Sequence, residues 1–149
     1  MLRQLLTGTF VSVCNIVIHA LVMTVIVRVA QAVGHKEWSR PSFVLVGVMV
    51  ATMLVLMAAH VGEVAVWALA YVIFDVSPPG TSRMYFAFVN YTTLGYGDVL
   101  PVERWRLLGP LTATNGMLMF GWSTAVIFEV SRRTLVHNAD IPDRLKSLK

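Results

Sequence analysis

Apolar residues run in three long blocks along this chain, over about residues 5–27, 43–74 and 107–130, and polar residues collect between them. Each block reaches or exceeds the roughly 20 apolar residues that a helix needs to cross a bilayer. The pattern therefore predicts three spanning helices. The second, roughly 32 residues long, must tilt or protrude as one helix, since two crossings would each be too short. On the first, Ser12, Asn15 and His19 recur at spacings of three and four and draw a narrow polar stripe that should face protein. A helix lying in the interface would instead show a broad charged face. Gly34 to Pro41 combines a helix-ending glycine, basic residues, Trp38 and a helix-starting proline, and reads as a hairpin connector. Gly47, Ala51, Ala58, Gly62 and Ala65 give the second span small residues that allow close helix approach. Asp75 to Gly80 breaks that helix, and Thr81 or Ser82 can cap a short amphiphilic one over about residues 83–92.

Composition agrees with a membrane protein of one domain: of 149 residues 56% are hydrophobic and 13% charged, and the mean hydropathy is +0.69. The net charge of +4 would suggest nucleic acid in a soluble protein, but no nucleic-acid motif accompanies it. The basic residues sort by loop instead. Arg28, Lys36, Arg40, Arg132, Arg133, Arg144, Lys146 and Lys149 fall on one side, and Arg3, Arg83, Arg104 and Arg106 on the other. By the positive-inside rule the C-terminus is cytoplasmic and the N-terminus outside. The lone Cys14 lies within an apolar span and forms no intrachain disulfide. Arg3, the apolar run and Ala30-Gln31-Ala32 mimic a secretory signal, but the run is long and Arg28 interrupts it, so a retained helix is expected.

Between the short helix and the third span lies Thr92-Thr93-Leu94-Gly95-Tyr96-Gly97-Asp98. Stripping water from a potassium ion takes successive rings of oxygen, which backbone carbonyls of four identical loops can supply. Aligning consecutive carbonyls sends alternate residues into backbone regions that a Cβ penalises, which accounts for Gly95 and Gly97. The segment resembles the selectivity filter of the potassium-channel superfamily, especially the small prokaryotic two-transmembrane, P-loop pore-domain channels. Leu94 stands where the family commonly has valine or isoleucine, with a side chain facing away from the ions.

The resemblance covers roughly residues 42–133 and implies an all-α membrane protein with outer helix, re-entrant pore helix, filter and inner helix, here preceded by one extra N-terminal transmembrane helix. It also implies a homotetrameric pore in the cell (inner) membrane. Thr93, Leu94, Gly95 and Tyr96 become the K⁺ ligands, and Gly97, Asp98, Tyr85 and Phe86 the filter support. Tyr85 and Phe86 match an aromatic cuff around the filter tyrosine, and Tyr85 matches the usual tryptophan partner of Asp98. Val89 stands where the proton-gated bacterial channel has a buried glutamate, so that carboxyl pair is missing. Gly116 and Gly121 fall near the family's hinge glycine and following Phe-Gly, open equally to a bending role and to close packing. Asn115 beside them is a candidate cavity residue. The expected domains are 1–33 N-terminal helix, 34–41 connector, 42–133 pore domain and 134–149 tail.

His60 and Glu63 share one face of the second span, roughly 27 Å above its cytoplasmic end, and His19 reaches a similar height. Ionisable groups inside a membrane mark a functional site or a paired network. His19, His60 and Glu63 are thus either a hydrogen-bonded staple or a proton or divalent-metal sensor. Glu129, Arg132, Arg133 and His137 are either an intersubunit charge network or a solvated helix end. No catalytic pair, nucleophile constellation or phosphate loop is present, so the expected function is passive K⁺ conduction by a non-enzyme without cofactor or soluble substrate. A non-selective cation channel and a non-conducting sensor using His60 and Glu63 are the alternatives.

Overall fold

The structure, a computed structural model, describes residues 1–34 and 41–146, with side chains over 1–33 and 42–134. The connector expected at 34–41 therefore lies mostly outside the described residues. Among the described residues four α-helices follow one another: α1 (Leu2–Gly34), α2 (Pro41–Ile73), α3 (Arg83–Tyr91) and α4 (Leu108–Lys146), with a 3₁₀ turn at Glu103–Trp105 before the last. No strand occurs among the described residues. The third expected span continues as helix through most of the expected tail.

Helices α1 and α2 are long and apolar enough to cross a membrane, over Leu2–Val33 and Ser42–Ile73, and the most apolar stretch of α2 is only 11% buried. Phe43, Leu54, Met57, Leu69 and Ile73 all stand exposed on α2. A contiguous apolar surface of that kind suits a bilayer and not water. Helix α4, the third expected span, is not among the helices apolar enough to cross a membrane by length and composition over the described residues, and polar residues including Thr112, Asn115 and Ser123 interrupt it. Those three are buried, as polar side chains in a membrane helix should be.

Two compact units form, one from Met1–Ala20 with Ala58–Gly121 and the other from Leu21–Met57 with Trp122–Lys149. The first is built on aromatic packing: Trp67 and Tyr71 of α2 and Phe86 and Tyr91 of α3 are buried with Leu108 and Met119 of α4 and Val11 of α1. Buried indole and phenol groups need partners for their polar ends. Trp67 Nε1 donates to Asn115 Oδ1 at 2.9 Å, and the Tyr71 hydroxyl lies 2.7 Å from Thr112 Oγ1. In the second unit Met23, Ile26 and Ala30 of α1 pack with Leu56 of α2 and with Val126 and Val130 of α4.

The small-residue stripe of α2 is not used as its pattern suggested. Ala51, Gly62 and Ala65 are exposed, and a Cβ at Gly47 or Gly62 would meet nothing within 4 Å. Close approach falls instead on α1 and α4, where a Cβ at Gly8 would press on the Leu111 side chain and one at Gly116 would overlap the Tyr91 carbonyl.

Candidate functional site

Helix α3 starts at Ser82, whose extended backbone and side-chain oxygen accepting from the Tyr85 amide make it the N-cap. It ends where the Thr92 amide and hydroxyl both return to the Phe88 carbonyl, at 2.9 and 2.8 Å. The Leu94 amide still reaches back to Val89 O at 3.0 Å, and the chain then leaves helical geometry. From there every second residue is left-handed: φ is 60° at Thr93, 60° at Gly95 and 75° at Gly97. For a β-branched residue that conformation is a true outlier. Thr93 was expected only as a ligand, and nothing but the alternation itself signalled its backbone.

Residues 92–98 are all exposed in the single chain, with Leu94 at 53% and Tyr96 at 69%. Behind them opens a cleft of about 400 Å³, lined by Val89, Asn90, Thr93, Gly95 and Pro101 among others. The Tyr85 hydroxyl donates to Asp98 Oδ2 at 2.7 Å and ties the start of α3 to the end of the 92–98 segment. Phe86 does not join it in a cuff. It is buried, with its ring 5.1 Å from that of Tyr71, because the helical turn that exposes Tyr85 sends its neighbour inward.

Asn115 also departs from expectation. It is 2% exposed and faces its own chain, its Oδ1 accepting from Trp67 and, at 3.1 Å, from Asn15 Nδ2. It therefore lines no cavity. Helix α4 is unbroken through Gly116 and Gly121. Gly116 backs directly on the last residue of α3, while Gly121 is exposed with open space beside it.

His19, His60 and Glu63 do come together. Their polar atoms lie within 4.8 Å of one another: His19 Nδ1 is 2.7 Å from Glu63 Oε1, and His60 Nδ1 is 3.2 Å from Oε2. Tyr91, unforeseen in the sequence, completes the group. Its hydroxyl donates to Glu63 Oε2 and stands 3.0 Å from His60 Nδ1. Asn15, on the same stripe as His19, donates to the Glu63 backbone carbonyl at 3.3 Å. The polar stripe of α1 thus faces protein, as its spacing required.

Further along α4, Glu129 accepts from Arg132 at 2.9 Å and pairs with Arg133 as well, all within one helix. Glu129 raises the Arg132 pKa, through its hydrogen bond first, so the guanidinium stays charged. Both pairs are intrahelical. The side chain of His137 lies outside the described residues.

A family model described as an ion channel matches residues 59–133, half of the chain, spanning His60, Glu63, α3, residues 92–98 and the first part of α4. No curated protein and no solved structure matches.

Proposed function

The chain belongs to the ion channel family, and on that premise we propose that it is a potassium-selective channel of four identical subunits in the cell membrane, with its C-terminus cytoplasmic and its N-terminus outside. The observation that carries this reading is the alternation of left-handed φ at Thr93, Gly95 and Gly97 in an exposed segment directly after the pore helix. Such alternation is what aligning consecutive carbonyls demands of the backbone, and four such strands make the oxygen rings that replace a hydration shell. Thr93, Leu94, Gly95 and Tyr96 supply those rings, and the Tyr85–Asp98 hydrogen bond holds the outer end. A lone chain leaves this strand bare, which is the condition of a surface made to face copies of itself. The C-terminal end of α3, with its partial negative charge, favours a cation beneath the filter. In this reading residues 1–33 are an N-terminal helix, 42–133 the pore domain and 134–149 a tail, and conduction calls on no cofactor or catalysis.

The test is the reversal potential of the purified protein in a planar bilayer under opposed K⁺ and Na⁺ gradients. A reversal near the K⁺ equilibrium potential, lost in Gly95→Ala, is expected. Equal permeability to both ions in the native protein overturns selectivity.

A further inference from the structure

We propose that His19, His60 and Glu63 form a binding site for a borderline divalent transition-metal ion of the zinc class. Three helices deliver the donors: α1 carries His19, α2 carries His60 and Glu63 one turn apart, and α3 presents the Tyr91 hydroxyl as a fourth polar atom. Donor atoms of a tetrahedral zinc site, with bonds of about 2.0–2.1 Å, stand about 3.3 Å from one another. His19 Nδ1 stands 2.7 Å from one Glu63 oxygen and His60 Nδ1 3.2 Å from the other, and the donor atoms of all three residues lie within 4.8 Å of one another. An ion between them would take the place of these contacts.

The donor chemistry selects the ion. Two imidazoles with one carboxylate suit zinc, copper, nickel or cobalt, whereas calcium and magnesium take oxygen ligands. Charge argues in the same direction. The Glu63 side chain is fully buried, and a buried carboxylate is costly unless its charge is compensated. In the structure the Glu63 carboxylate is met by His19, His60 and Tyr91, and a divalent ion would compensate it by direct coordination while displacing protons from the donors. The site also has a way in, because the His60 side chain is 14% exposed while those of His19 and Glu63 are not exposed at all.

The inference does not rest on potassium conduction and is read by binding alone. Full-length protein without a histidine tag, purified in detergent, carries the substitutions H35A and H137A so that histidines elsewhere contribute nothing. Zinc binding is measured by calorimetry, and cobalt is added separately as a spectroscopic probe. One saturable zinc per chain is expected, unaffected by excess magnesium or calcium, and cobalt should give the strong visible bands of a four-coordinate ion that zinc then abolishes. His60→Gln, at the partly exposed ligand, should weaken zinc at least about tenfold while its gel-filtration profile stays native. Glu63→Gln should do the same, and if it fails to fold, His19→Gln takes its place. Absence of saturable zinc binding in the parent protein overturns the site, as does unchanged affinity in folded His60→Gln. In either case the four side chains are a hydrogen-bonded staple only.

Discussion

Tyr91, the last residue of the pore helix, donates its hydroxyl proton to Glu63 of α2 in a site where both side chains are buried. Thr93, the first of the left-handed residues 93, 95 and 97, lies two residues further on. The end of the pore helix is therefore held by a carboxylate that belongs to another helix, and that carboxylate is in turn held by His19 of α1. This gives the N-terminal helix a structural connection to the pore that runs through only two side-chain contacts.

Tyr91→Phe removes one donor from a buried carboxylate and should cost about 1–3 kcal/mol. Thermal unfolding in detergent measures the loss. A stability equal to that of the native protein would mean that Glu63 is satisfied without Tyr91.

Gly116→Ala and Gly121→Ala separate packing from bending. The added methyl at Gly116 meets the Tyr91 backbone, which cannot move aside as a flexible side chain would, so destabilisation of roughly 1–3 kcal/mol is expected. At Gly121 the methyl enters open space, and the higher helix propensity of alanine should leave stability equal or slightly raised. Equal stability losses in the two variants would refute a packing role specific to Gly116.

Asn115→Ala takes the acceptor away from Trp67 Nε1 and Asn15 Nδ2 together. A destabilisation of about 1–3 kcal/mol is expected from the stranded donors, with no change in block by intracellular cations. A changed block with unaltered stability would restore Asn115 to the cavity.

Tyr85→Phe breaks an exposed hydrogen bond, so the stability change should stay within about 1 kcal/mol. The 92–98 segment, however, loses its tether to α3. Macroscopic current should inactivate faster than in the native protein, and indistinguishable inactivation kinetics would show that Asp98 is held by other means.

The helices, their order and the alternating left-handed backbone at Gly95 and Gly97 were legible in the sequence because each rests on local physics. A run of roughly twenty apolar residues needs a helix in a bilayer wherever it occurs, Ser82 caps the helix that begins beside it, and alternate left-handed residues select glycine by the absence of a Cβ. The polar stripe of α1 was legible for the same reason, as a matter of spacing along one helix. Tertiary structure decided what those faces touch. Phe86 went to the core and not to a cuff, Asn115 to Trp67 and not to a cavity, and the small residues of α2 largely to the outside, because each outcome depends on the rotation of one helix against another. Tyr91 was invisible for that reason too: a tyrosine at the end of an amphiphilic helix carries no mark of the buried carboxylate it will meet 28 residues back along the chain.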